Sequence, residues 1–196
     1  MAEKMNLPAR VEIRFSGSGG QGILLAAAII AEAATELGKH VVQTQSYGPA
    51  ARGGASKSEV IIADEEIDFP EVITPDMSLC LSQAAYKSYV GDMRPGGLLV
   101  YDSGLVEPGP ESERWVLSGA PFTNAAREQL SKVVVANIVA LGALVEAGRM
   151  LPPDFVEQAV VSRVPAKFRE LNAQAFRLGR KLGSEAVAAA SVPASA

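Results

Sequence analysis

The chain has 196 residues, 48% hydrophobic and 20% charged, with a formal net charge of -4; that is enough for one well-buried domain with the make-up of ordinary soluble globular proteins. Such a balance offers no basic field for tracking a phosphate backbone, which argues against nucleic-acid binding as the main task. One cysteine, Cys80, and one histidine, His40, are too few for a structural zinc or thiolate-held iron–sulfur site, each of which needs about four such ligands.

Residues 1–10, MAEKMNLPAR, lack the apolar core of a secretory signal. VEIRFSG, Val11 to Gly17, reads as a strand, and a helix follows from Gln21 to Leu37. Its Glu32, Glu36 and Lys39 mark one solvent stripe on an otherwise Ala, Ile and Leu surface, as in a helix covering a sheet; Gly38 supplies the stop. His40 then reads as a plain loop residue. VVQTQS (Val41 to Ser46) is a second strand and SKSEVIIAD (Ser56 to Asp64) a third. No helical pattern separates those two, so one of them is expected to run antiparallel. MSLCLS (Met77 to Ser82) is a fourth strand with Cys80 as a small buried hydrophobe, followed by a helix over Ala84 to Val90. LLVYDSG (Leu98 to Gly104) is a fifth strand and RWVLSG (Arg114 to Gly119) a sixth; FTNAAREQL opens a helix with Thr123 as its N-cap. Lys132 to Gly183 is helical, broken near Pro152–Pro153 and Pro165. The apolar runs ILLAAAII and VVVANIVALGALV fall short of the roughly 20 residues a membrane span requires, so a cytoplasmic location is expected. Strands alternating with helices predict a Rossmann-like, three-layer α/β domain with a mostly parallel sheet and a helical C-terminal third. That domain is expected over residues 1–185, with a disordered tail over 186–196.

Two glycine-rich loops carry the chemistry. After the first strand comes GSGGQG, in which Gly17, Gly19 and Gly22 match the G-x-G-x-x-G spacing. In such a loop the first glycine permits a tight turn, the second lets a ligand approach the backbone, and the third lets helix and strand pack closely. The helix beginning there directs amides and partial positive charge outward, which suits a phosphate. A dinucleotide site also calls for an acid about 20 residues on, at the end of the second strand, and this chain has Gln43, Thr44, Gln45 and Ser46 there. Arg52 is an alternative reader of a 2'-phosphate. The glycines also admit a purely structural reading, a close helix–sheet contact.

The second loop is SYGPAARGGAS, Ser46 to Ser56. Arg52 stands among Ala51, Gly53 and Gly54, a fixed cationic fork suited to a phosphate or carboxylate beside a backbone that a neighbour can approach closely. Both loops follow strands, so both are expected at the carboxyl edge of the sheet, where ligands of this fold class bind. Asp102 and Ser103 reach the same edge; a carboxylate capping a turn is the plainer role for Asp102.

GSGGQGILLAAAIIAEAA, QSYGPAARGGASKSEVIIAD and PGGLLVYDS, with NIVALGAL (Asn137 to Leu144) and KFRELNAQAFRLG (Lys167 to Gly179), resemble the gamma subunits of the 2-oxoacid:ferredoxin oxidoreductases. The Ser-Tyr-Gly-Pro form of the second loop is most similar to the 2-oxoglutarate type. The resemblance spans Val11 to Gly183. It implies a subunit of a complex that converts a 2-oxoacid and coenzyme A (CoA) to acyl-CoA, CO2 and reduced ferredoxin. It further implies thiamine diphosphate, Mg and iron–sulfur clusters in partner alpha and beta subunits, a ferredoxin-like delta subunit, and ferredoxin as acceptor. By the same resemblance Gly17, Gly19, Gly20, Gln21 and Gly22 are candidates for a CoA pocket, and Ser46, Tyr47, Arg52, Gly53 and Gly54 lie near it or at a subunit interface. No residue of the chain is assigned as catalytic or metal-ligating. Two other readings stand beside this one: an NADP-dependent reductase using the glycine loop, and a scaffold whose loops only mate with partners.

Overall fold

The computed structural model describes residues 8–47 and 54–190. The elements are β1 (Arg10–Ser18), α1 (Ile23–Glu36), β2 (His40–Tyr47), β3 (Ala55–Ala63), β4 (Met77–Cys80), α2 (Gln83–Tyr89), β5 (Leu98–Asp102), β6 (Val116–Ala120), α3 (Phe122–Leu130), α4 (Ala136–Gly148), α5 (Pro153–Arg163) and α6 (Arg169–Ala190). The strands form one six-stranded sheet in the order β2-β3-β1-β4-β5-β6. β1, β4, β5 and β6 pair parallel, while β3 runs antiparallel to both β1 and β2. The strand expected to reverse is thus β3, inserted between β1 and β2. The connection from β2 to β3 is too short for a crossover helix, so the chain turns back beside itself.

Alternation along β1 sends Val11, Ile13 and Phe15 to one face and Arg14 and Ser16 to the other, all of them buried. A strand buried on both sides needs layers above and below the sheet. On one face α1 packs on β3, β2 and β1, and α4 on β4 and β5, with α6 against β6. α4 is apolar all round, buried from Asn137 to Val145, and α6 lies tightly along it: a Cβ on Gly179 would stand 1.8 Å from the Val139 carbonyl oxygen. Only glycine permits that approach. On the other face α2 and the segment up to β6 close a smaller core around Cys80, Tyr86, Met93, Leu99 and Trp115.

Beside that smaller core lies a buried charge cluster. The Arg14 guanidinium, 1% exposed, donates to Glu59 Oε1 (2.7 Å), the Tyr89 carbonyl (2.8 Å), Asp92 Oδ2 (3.1 Å) and the Val72 carbonyl (3.3 Å). Lys57 donates to both Glu59 oxygens at 3.0 Å, and its Nζ lies 5.9 Å from the centre of the Tyr89 ring. A charge this deep is stable only when paired and hydrogen-bonded, and here all three guanidinium nitrogens donate, in four bonds, two of them to carboxylates.

Several local expectations change. His40 is exposed but opens β2, paired with Ala63, rather than sitting in a loop. Thr123 is the second residue of α3, not its cap; Pro121 precedes the helix and the cap is supplied from β5, as described below. α6 continues to Ala190, seven residues beyond the expected helical end at Gly183, because nothing between Gly183 and Ala190 breaks the helical run. None of the described helices is long and apolar enough to cross a membrane.

Candidate functional site at the carboxyl edge of the sheet

β1 connects through α1 to strands on one side and lies beside β4 on the other, so the chain order reverses between β1 and β4. In open α/β sheets the crevice beyond the strand ends at such a reversal is where ligands bind. The glycine loop, Ser18 to Gly22, leaves β1 at that place.

Its internal bonds separate the residues that shape the loop from those that face outward. Gln21 Oε1 accepts from the Ser18 amide (2.6 Å), Gln21 Nε2 donates to the Leu81 carbonyl (2.8 Å), and the Gln21 amide donates to the Ser18 carbonyl (3.2 Å). Gln21 therefore ties the loop to the end of β4, and its amide is used within the loop. Gly17 is buried, and a Cβ there would lie 2.8 Å from Gln21 Oε1 and 3.1 Å from Ile23 Cγ2; it makes room for that tie. Gly22 has φ of 74°, and a Cβ would lie 2.4 Å from Asn137 Nδ2, which donates to the Gly22 carbonyl at 3.1 Å. It is what allows the start of α4 to close on the loop.

Gly19 and Gly20 differ. Both are exposed, and a Cβ on either would meet nothing within 4 Å. No packing in the described chain demands glycine at Gly19, whereas Gly20 has a positive φ of 87°. Among the described residues, the amides of Gly19, Gly20 and Gly22 make no hydrogen bond within the chain. They stand at the N-terminus of the 14-residue α1, where unpaired amides and the helix dipole favour an anion.

The second loop joins the same edge. Register pairs Ser56 with Gly17 on one side and Tyr47 on the other, and Ser56 Oγ donates to the Gly17 carbonyl (3.3 Å). Ser46 is exposed and lies opposite Lys57. Two strand spacings put the backbones of Tyr47 and Gly17 about 10 Å apart. Gly54 is half-buried just before β3; Arg52 and Gly53 lie outside the described residues. Lys57, on the strand's other face, pairs with Glu59. Tyr89 Oη donates to the Ala55 carbonyl (3.1 Å), tying α2 to the start of β3.

Asp102, fully buried, accepts from the Gly104 amide (3.0 Å) through Oδ1 and from the Thr123 amide (2.8 Å) and Thr123 Oγ1 (2.6 Å) through Oδ2. It caps its own turn and the first turn of α3 together, so all its capacity serves the fold. Cys80, at the end of β4, donates to the Ser82 carbonyl (3.4 Å), and burial pushes its pKa up to about 11; it is an inert core thiol. Among the described residues, no three of His, Cys, Asp and Glu gather as a metal-binding set.

Between the glycine loop and the start of α4 lies a pocket of about 190 Å3, bordered by Gly20, Leu81, Leu105, Val133, Val134 and Asn137. Sequence reasoning did not find Asn137 or the two valines. The signal for Asn137 was one polar residue heading an otherwise apolar helix, ANIVALGALV.

The family model for pyruvate ferredoxin/flavodoxin oxidoreductase matches residues 12–182. The 2-oxoglutarate synthase subunit KorC of Methanocaldococcus jannaschii is 47% identical, over 93% of this chain and 98% of that one. Among solved structures, the gamma subunit of a keto/oxoacid ferredoxin oxidoreductase from Geobacter sulfurreducens superposes with a TM-score of 0.82 at 45% identity, covering 91% of this chain and 99% of the other. The fold recurs at TM-score 0.82 and 24% identity in the 2-oxoglutarate:ferredoxin oxidoreductase of Magnetococcus marinus, where it matches only 32% of a longer chain.

Proposed function

The chain belongs to the pyruvate ferredoxin/flavodoxin oxidoreductase family and is a subunit of a multi-chain 2-oxoacid oxidoreductase; from that premise we propose that it is the gamma subunit of a 2-oxoglutarate:ferredoxin oxidoreductase and helps to hold CoA. The reaction is 2-oxoglutarate, CoA and two oxidised ferredoxins going to succinyl-CoA, CO2, two reduced ferredoxins and a proton. CoA supplies the thiol that accepts the acyl group. This chain's part is binding. The amides of Gly19, Gly20 and Gly22 and the N-terminus of α1 receive phosphate oxygens, with Ser46, Tyr47, Arg52, Gly53 and Gly54 completing the same edge. Gln21 and Gly17 shape the loop. With one cysteine and one histidine in the chain, the thiamine diphosphate, its Mg and the iron–sulfur clusters fall to the alpha and beta subunits and a ferredoxin-like delta subunit, in a cytoplasmic complex.

The observation that carries this reading is the division within the loop. Internal packing accounts for Gly17 and Gly22, while Gly19 remains exposed, unstrained and beside free amides. A nicotinamide site is disfavoured because the inserted β3 separates the loop from the end of β2, and no carboxylate stands at Gln43 to Ser46.

The test uses the complex purified from its host by a tag on this chain, assayed for viologen reduction with 2-oxoglutarate, pyruvate and indolepyruvate. Activity with 2-oxoglutarate that is lost without CoA is expected. Gly19→Val should leave complex yield unchanged and raise the KM for CoA on the order of tenfold, the loss of one or two charge-assisted hydrogen bonds. An unchanged CoA KM refutes the contact; activity that does not need CoA refutes the assigned reaction.

A further inference from the structure

Leu105, Val133 and Val134 are 44%, 44% and 80% exposed, and all three border the 190 Å3 pocket beside the glycine loop. Two adjacent β-branched residues held outward on a 3-10 turn, Val133–Val135, at the mouth of a cavity are a poor arrangement for a surface facing only water. We propose that this pocket is a socket for one apolar side chain of another subunit of the oxidoreductase, with Val134 packed against that subunit.

Three observations select this occupant. The volume of about 190 Å3 is below the roughly 300–1,000 Å3 of pockets that enclose cofactors and comparable ligands, yet accommodates one large side chain. The polar side chains lining it already serve the fold: Thr123 donates to Asp102, Asn137 to the Gly22 carbonyl, and Gln21 to the Leu81 carbonyl. Apart from the Gly20 backbone at its edge, the rest of the lining, Leu81, Leu105, Val133, Val134 and Ala136, is apolar, which matches a buried anchor of the kind that dominates interfaces. The fold also occurs as about a third of a longer chain, so further polypeptide is covalently joined to it there. The inference rests on membership in a multi-chain oxidoreductase rather than on the CoA contact. It places a subunit boundary alongside the glycine loop, on the α4 side.

Val134→Asp is introduced into the tagged chain expressed in its own host, and subunit composition is read by mass spectrometry separately from activity. Residue 134 is on the surface, so the purified variant chain is expected to unfold at the wild-type temperature. The yield of the other oxidoreductase subunits should fall on the order of tenfold or more, as for a central hot spot, and Val134→Ile should restore it. In the wild-type complex, a photo-crosslinking residue at position 134 should join an apolar segment of another identified subunit; this arm stands even if Val134→Asp unfolds the chain. A Val134→Asp complex of normal yield and composition overturns the proposal, and a raised CoA KM in that complex would reassign the pocket to ligand. Crosslinks only to a second copy of this chain, or to nothing, overturn it too.

Discussion

Replacing Arg14 by methionine tests whether the buried charge cluster holds the second face of the sheet. Arg14 is 1% exposed and gives four hydrogen bonds, to Glu59, Asp92 and the carbonyls of Tyr89 and Val72. Methionine keeps most of the length and none of the donors. Glu59 retains Lys57, but the two carbonyls lose their partner and the cluster loses one of its two positive charges. Breaking a buried pair from one side costs about 3–5 kcal/mol, which in a domain of this size lowers Tm by roughly 6–20 °C. The comparison is Arg10→Ala, which removes the exposed Arg10–Glu12 pair and should cost less than about 1 kcal/mol. Urea titration of the purified chain by circular dichroism gives both values. Adding Glu59→Gln to Arg14→Met should cost less than the sum of the two single changes, since either change alone already breaks the charged Arg14–Glu59 pair. If Arg14→Met costs no more than Arg10→Ala, the cluster is a passive filling and the reasoning fails.

Gly22→Ala should destabilise the chain by about 2–3 kcal/mol, combining a left-handed residue at φ of 74° with displacement of Asn137 and its bond to the Gly22 carbonyl; thermal denaturation beside Gly19→Val, which should be neutral, reads the difference. Cys80 gives a pH signature. Burial raises its pKa from 9.0 to about 11, so the folded state holds a proton that the unfolded state releases. The corresponding stability is complete below pH 9, falls as pH rises, and is gone above about 11, a loss of about 2–3 kcal/mol. Cys80→Ala should flatten that part of the stability–pH curve, with the slope that remains belonging to groups such as Tyr86, pushed up to about 12 by burial and its bond to Glu111.

The strands were legible in the sequence because their apolar residues alternate or run together between glycines and prolines, and the missing helix between β2 and β3 showed that one of the two reverses without showing which. What was not legible came from distant partners. The cap of α3 is Asp102, 21 residues upstream, which no local pattern around Thr123 reveals. Asn137 reaches Gly22 from 115 residues away, and Gln21 reaches Leu81 across 60. Alternation in VEIRFSG would put Arg14 in water; it is buried because α2 and its flanking segments cover that face, and a single strand's pattern does not report whether its polar side is covered. The glycine spacing singled out the loop, yet only the surrounding contacts divide its glycines into packing and exposed members.

Strand insertion explains why a G-x-G-x-x-G loop here need not read a dinucleotide. In that fingerprint the strand next to β1 ends in an acid that takes the ribose hydroxyls. Here the neighbour of β1 is β3, which begins at this edge instead of ending there, with Ala55, Ser56 and Lys57 opposite the loop. Ser56 bonds the Gly17 carbonyl and Lys57 is held by Glu59, so neither takes the acid's place, and β2's end is about 10 Å off. The loop keeps its free amides and loses its ribose reader. Amides recognise phosphate without distinguishing what the phosphate is attached to, so selectivity has to come from groups brought to the same edge. On the proposed reading those are the Tyr47 and Gly54 ends of the second loop on one side and, on the other, the subunit proposed to dock against Val134.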